Sequence, residues 1–245
     1  MRCLQIIFFQ LTSEMLAQSL RHIVQRKHFS TSTQNEVKAR LRSLLRETAQ
    51  PVAVVTSLLH PTANKSPSNY HGATLSSFSS IAMDPYPLVA FSLRIPSRMA
   101  ASLRSALPEP PSDMVVNILS AAQASSAVLF SRSDLHPNPF LEVEYTLNSE
   151  GIPVLQGCLG ALSCKLATLP ILLDDPTFSG KFSGMDSQLE DVESGTAITS
   201  ELFIARVTNI ESLALDEADA DDPQTMPLLY HRRTYSTCSI ESLKV

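Results

Sequence analysis

Residues 71–93 read HGATLSSFSSIAMDPYPLVAFSL. Thr74, Ser76, Ser77, Ser79 and Ser80 crowd together after a glycine. A proline-rich turn follows, and then the apolar run "YPLVAFSL" (86–93). That run is short and bounded by turn residues, which predicts a buried strand rather than a helix. The hydroxyl crowd has two readings. Serine and threonine bond their own backbone and favour turns. A second hydroxyl motif, "RIPSRM" (94–99), stands on the far side of the same strand. Two polar loops bracketing one buried strand form opposite walls for a ligand that is flat, apolar in the middle, polar along its edges and anionic at one end. Such a ligand needs donors and acceptors together, apolar walls, and Arg94 or Arg98 for its charge.

Further strands are predicted at "PVAVVTSLL" (51–59), "DMVVNIL" (113–119), "CLGALSCKLATL" (158–169) and "ELFIARVTNI" (201–210). A helix is predicted from a Thr33 cap, with Glu36 completing a capping box. Val37, Leu41, Leu44 and Leu45 form its apolar stripe, and Pro51 ends it. A second helix is predicted over 120–130, capped by Ser120. "GIPVLQG" (151–157) reads as a turn, and "HPNP" (136–139) as irregular chain. Residues 60–69 read as an exposed loop, 174–196 as a mobile insertion and 216–222 as an acidic loop. His71, next to Gly72, reads as a solvent-facing loop histidine, with approach to a cofactor as the alternative. The fold class expected is mainly β: a closed antiparallel barrel with a few peripheral helices.

The 245 residues suit one domain with appendages, and 44% are apolar. The net charge of −5 argues against a nucleic-acid surface. No apolar run is long enough to predict a transmembrane helix. Cys3, Cys158, Cys164 and Cys238 show no metal-ligand spacing and read as free buried thiols. Basic residues dominate the start of the chain: Arg2, Arg21, Arg26 and Lys27 face Glu14 alone. Leu16, Leu20, Ile23 and Val24 line one helical face, and "RKHFSTSTQ" follows without acid. An amphipathic, arginine-bearing, acid-poor leader predicts a mitochondrial transit peptide over residues 1–33 and residence in the matrix. A secretory signal built on "CLQIIFF" is the weaker rival, since Gln5 breaks its core and no small-residue cleavage site follows.

"GATLSSFSSIAMDPYPLVAFSL" resembles the signature of the flavin reductase-like family, whose fold is an FMN-binding split β-barrel of Greek-key, antiparallel type. "VVNIL" (115–119) with Gln123 and Phe130, "GIPVLQGCLGALSCKL", and "PLLYHRRTY" (227–235) resemble later motifs of the same family, in order. The resemblance implies a domain over 34–236, followed by a tail, 237–245. It implies a flavin, FMN with FAD as the alternative, and NAD(P)H as electron donor. It places Thr74, Leu75, Ser76 and Ser77 at the flavin ring edge and ribityl chain. Phe91, Ser92 and Leu93 supply backbone to the ring, and Ser97 with Arg98 holds the phosphate. Where the family commonly has a further threonine, this chain has Met99. A homodimer is also implied. The Gly-Asp-His motif of many reductases is replaced by Ile198, Thr199 and Ser200, and the closing motif reads His231-Arg232-Arg233 without its usual glycine. Two functions remain open: a flavin-dependent oxidoreductase, or a mitochondrial flavin-binding accessory or scaffold protein with little turnover.

Overall fold

The computed structural model describes residues 35–58, 66–105, 113–173, 199–213 and 222–238. The Thr33 cap, the leader, the 174–196 insertion and nearly all of the 216–222 loop and of the tail lie outside them. The chain divides into two units, residues 1–48 and 49–245. In the first, residues 35–46 are helical (α1). The expected stripe lies on this helix, and Val37, Leu41, Leu44 and Leu45 are exposed there.

The second unit is a mainly β body. In chain order its strands are β1 (Gln50–Pro51), β2 (Ala53–Leu58), β3 (Tyr70–Leu75), β4 (Ser79–Ala82), β5 (Leu88–Ile95), β6 (Met114–Ile118), β7 (Tyr145–Leu147), β8 (Pro153–Leu155), β9 (Gly160–Leu166), β10 (Ile171–Leu172), β11 (Thr199–Leu213), β12 (Leu229–His231) and β13 (Thr234–Ser236). Two helices accompany them, α2 (Arg98–Arg104) and α3 (Ala124–Ser131). The main sheet runs β3-β2-β6-β9-β11-β5-β4, with β10 on the flank of β11, and its strand pairs are antiparallel. The two ends of that order, β3 and β4, are joined by only Ser76, Ser77 and Phe78. So short a link forces the sheet to curl until its ends meet, which is the split-barrel arrangement.

Period-two alternation explains the continuous apolar run in β2. Ala53 and Val55 pack inside the curl, with Phe91, Met114, Leu103 and Phe203. Val52, just before β2, and Val54 face the other way, against Leu119, Phe130, Phe140 and Leu155. A strand covered on both faces has no polar side to show. Buried polar side chains do occur in this sheet, among them Thr56 and Ser57 on β2 and Asn117 on β6. Asn117 Nδ2 donates to Val54 O (3.0 Å), and its Oδ1 accepts from Leu155 N–H (2.8 Å). One amide thereby ties β6 to β2 and β8.

Several expectations need correction. "GIPVLQG" is not only a turn, because Pro153–Leu155 pairs with Tyr145–Leu147. The hydroxyl stretch is not one loop: Thr74 sits on β3 and Ser79 and Ser80 on β4. Strand pairing prevailed over turn propensity there, since β2 and β5 offer a partner to every one of these backbones. His71 is buried on β3 rather than facing solvent, opposite Ser57. Helix α2 was not foreseen. Residues 121–123 form a 3-10 turn before α3, introduced by Ser120, whose N–H donates to Gln123 Oε1 (3.2 Å). In "HPNP", Pro139 opens a single 3-10 turn, Pro139–Leu141. Cys158 and Cys164 are buried as expected, and burial pushes the Cys164 thiol up to about 12. Cys238 is exposed, so the buried-thiol expectation fails for it.

The missing glycine of the closing motif has a backbone consequence. Arg232 (φ 51°) and Arg233 (φ 67°) both take left-handed conformations in the β12–β13 turn. A two-residue hairpin wants positive φ at both central positions, which a side chain with a Cβ resists. Arg233→Gly is expected to raise stability by about 1 kcal/mol, read as a higher urea midpoint at unchanged slope.

Candidate ligand-binding site

The seam where the curled sheet meets itself is a cavity of about 660 Å³. Its floor is β3: every residue from Tyr70 to Leu75 lines it, a length of about 17 Å at ~3.3 Å per residue. Ser76 and Ser77 continue the floor, and Ser92, Leu93 and Arg94 of β5 form one side. Ser97, Arg98 and Met99 close that side at the start of α2. The opposite side comes from the end of α3 and the segment after it, including Phe130, Ser133 and His136.

Gly72 lets α3 approach the floor. A Cβ at this position would stand 2.5 Å from Phe130 Cδ1. Thr74 fastens the same contact, its hydroxyl donating to Ala127 O (2.7 Å). Thr74 is therefore a cavity residue whose hydrogen is already committed to α3.

The edge of β5 opens because β4 is short. β4 pairs with β5 only as far as Ser79 opposite Ala90. Two residues on, Ser92 N–H donates to Ser77 Oγ (3.0 Å), and Ser77 Oγ lies 3.3 Å from Ser92 O. A side-chain hydroxyl thus stands where the next strand residue would be. Backbone groups two residues apart point to the same edge. The N–H and C=O of Arg94 therefore face that edge too, one step beyond the last tie. The other flank agrees: Ser200, opposite Arg94, turns its C=O away to Leu173 N–H (2.9 Å). Arg94 offers one donor and one acceptor, side by side, to whatever enters the cavity.

Eight of the nine site residues expected from sequence line this cavity: Thr74, Leu75, Ser76, Ser77, Ser92, Leu93, Ser97 and Arg98. Phe91 does not. It is 1% exposed and stacks on Phe203, ring centroids 5.4 Å apart, inside the core. Its alternation with Ser92 directs it inward. Ser97 Oγ accepts Ala100 N–H (3.0 Å) as the cap of α2, which leaves its hydroxyl hydrogen available. Ser76 is exposed, and its hydroxyl makes no hydrogen bond among the described residues. The sequence reading missed His136, Ser200 and the α3 side as cavity walls. None of these carries a local signal, whereas Gly72 does, as a residue without Cβ inside a strand.

No carboxylate lines the cavity among the described residues, although the chain is net acidic. Arg94, Arg98 and two histidines do. The nearest acid in sequence, Glu201, points to the other face of β11. There it is buried and meets Arg104 of α2 at 3.1 Å. The cavity is thus suited to an anion carrying a heterocycle with hydrogen-bonding edges. No group of histidine, cysteine and acidic residues able to hold a metal occurs among the described residues.

Comparison with known proteins agrees with this fold. The family model described as "Flavin reductase like domain" matches residues 45–239. FMN reductase (NADH) SmoA of Agrobacterium fabrum is 32% identical over 96 residues, which is 39% of this chain and 50% of that protein. The chain thus matches about half the length of this curated relative. Among solved structures, the styrene monooxygenase flavin reductase of Pseudomonas putida S12 superposes with a TM-score of 0.56 at 22% identity, covering 82% of this chain and 99% of its own. The NADH:FAD oxidoreductase SgcE6 of Streptomyces globisporus, in complex with NAD and FAD fragments, gives 0.56 at 20% identity, covering 84% and 94%. At these identities the superpositions speak for the fold.

The two adjacent serines should separate in experiment. Ser77→Ala removes a tie within the protein and is expected to lower stability by about 1 kcal/mol in urea unfolding. Ser76→Ala should leave the urea midpoint unchanged and weaken a cavity ligand by about 3- to 10-fold in titration.

Proposed function

The chain belongs to the flavin reductase-like domain family, and on that premise we propose that it is a flavin-binding oxidoreductase, reduced by NAD(P)H, with FMN as the resident flavin and FAD as the alternative. The observation that carries this reading is the open edge of β5, set between an unengaged serine and two arginines in a cavity that no carboxylate lines among the described residues. A flavin supplies the hydride-accepting ring, and the protein contributes binding, orientation and electrostatics. The residues present fit that group. Arg94 N–H and C=O, with the Ser76 hydroxyl, match the mixed donors and acceptors of a flavin's polar edge. Leu75, Leu93 and Met99 line the cavity, with side chains packed into the core behind it. The Ser97 hydroxyl and the guanidinium of Arg98 suit the phosphate. SmoA, an FMN reductase using NADH by name, supports the same donor and flavin.

A second reading is favoured by Ser200. It lines the cavity where many reductases of the family have the histidine of Gly-Asp-His. Without an imidazole there, the chain is a flavin-binding accessory protein with slow turnover. Free flavin, oxygen or a partner protein would take the electrons in the first reading, and a homodimer is proposed in both.

Purified full-length chain loaded with FMN separates them. The oxidoreductase reading expects NADH or NADPH oxidation well above that of the same FMN free in solution. A yellow protein without such stimulation would leave the accessory role. A colourless protein that takes up neither FMN nor FAD would remove both.

Residence in the mitochondrial matrix is proposed from the composition of residues 1–33. Fused to a fluorescent protein, these residues are expected to direct it to mitochondria. A diffuse or secreted signal would refute that.

A further inference from the structure

Helix α2 carries an arginine at each end, and the two meet different surroundings. Arg98, its first residue, lines the seam cavity. Arg104, its last, does not. It reaches Glu201 of β11, with Nη1 3.1 Å from Oε1. The Glu201 side chain is 6% exposed, that of Arg104 45%. The residues opposite Glu201 on the strands that flank it are Leu93 of β5 and Leu172 of β10, and neither can answer a charge. Among the described residues Glu201 Oε2 has no hydrogen-bond partner, and Arg104 is the one cation paired with this carboxylate.

That carboxylate stands close to the cavity without lining it. Ser200, one residue before, lines the cavity opposite Arg94. Glu201 therefore lies on the reverse face of the strand that forms part of the cavity wall. Water screens little across packed protein, and one unit charge acting over roughly 10 Å there shifts an anion's affinity by on the order of tenfold. The ion pair is not what holds α2 in place. Met99, Ala100 and Leu103 pack into the core. The Ser102 hydroxyl donates to Leu58 O and lies 3.1 Å from Ser57 Oγ. With packing and hydroxyl ties already fixing the helix, the effect left to Arg104 is electrostatic.

We propose that Arg104 is a specificity-determining residue outside the cavity: by neutralising Glu201 it keeps the seam selective for an anionic ligand, and so sets the preference for a phosphorylated flavin over an uncharged one. The identity of the ligand rests on the flavin reading above. The charge relation between Arg104, Glu201 and the cavity does not.

Titration calorimetry of the full chain with FMN, and with riboflavin, which lacks the phosphate, tests this. Arg104→Gln is expected to weaken FMN by about 3- to 10-fold, and Glu201→Gln to tighten it by about 2- to 5-fold. The double variant should return to within about twofold of the parent, and Arg104→Lys, which keeps the charge, should stay there too. Riboflavin affinity should stay within about twofold throughout. A pair that merely anchors α2 gives a different pattern, with losses in both single variants and no recovery in the double. That pattern would overturn the proposal, as would equal changes for riboflavin and FMN, or no change for FMN. If the parent takes up neither flavin, the flavin reading fails separately. Inorganic pyrophosphate then serves as the probe, with the same order of variants expected. A different order, or no binding of pyrophosphate by the parent, would overturn the proposal in that case.

Discussion

The hydroxyl of Ser77 occupies the point on which the site depends. A curled sheet whose two ends are joined by three residues must stop pairing somewhere, and wherever it stops it bares backbone. Unpaired backbone buried from water costs a large part of a hydrogen bond per group. Here the ladder between β4 and β5 ends at Ala90, and Ser77 takes over at Ser92. The transition from paired to open edge therefore happens across one residue, and the first open position, Arg94, faces the cavity. Were Ser77 replaced by a longer strand β4, the edge would be covered and the seam closed. Were it absent, the edge would begin to fray beneath the ligand rather than beside it.

Alternation along two strands gives the cavity its electrostatic character. On β5, Phe91 and Leu93 turn toward the core while Arg94 is exposed. On β11, Ser200 lines the cavity and Glu201, its neighbour, is buried against Arg104. A shift of one residue in the β5–β11 register would exchange these roles and bring a carboxylate beside the arginines. The register is held by eight consecutive pairs, from Thr199 opposite Ile95 to Arg206 opposite Leu88. The stacked Phe91–Phe203 pair lies within it. Core packing and ligand preference are thus one constraint seen from two faces of the same strands.

This division explains what could be read in advance. The apolar runs of β2 and β6 were legible because they are short and buried on both faces, and that of β5 because it is short and bounded by turn residues. The seam residues Ser76, Ser92 and Arg98 were legible because their motif is local in sequence. The α3 side of the cavity was not. His136 reaches the site through Phe140, whose ring packs on Tyr70 seventy residues earlier, and no local pattern announces such a contact. Short elements also escaped. Helix α2 has seven residues and is set by the Ser97 cap and by Met99, Ala100 and Leu103 entering the core. β7 and β8 have three residues each, too few for a period to show. The resemblance names Phe91 for its backbone, and its side chain lies in the core because the pleat assigns alternate residues of the stretch to opposite faces.

The hydroxyl crowd also shows why residue type alone does not define a binding contact. Thr74, Ser77 and Ser97 share a cavity and a chemistry, yet each is engaged by the protein in its own way. Thr74 gives its hydrogen to Ala127 O, Ser77 both accepts from and donates to Ser92, and Ser97 accepts from Ala100 N–H. A hydroxyl has one hydrogen to give and two lone pairs to share. Thr74 and Ser77 therefore meet a ligand only as acceptors, Ser97 can still donate, and Ser76 is free for both. A bound heterocycle reads that difference directly, since its ring nitrogens and carbonyls do not accept from a group that has no hydrogen left. The two readings of the motif, turn chemistry and ligand binding, are thus both correct, each for different members of it, and the choice at every residue is made by whether a backbone partner stands within reach.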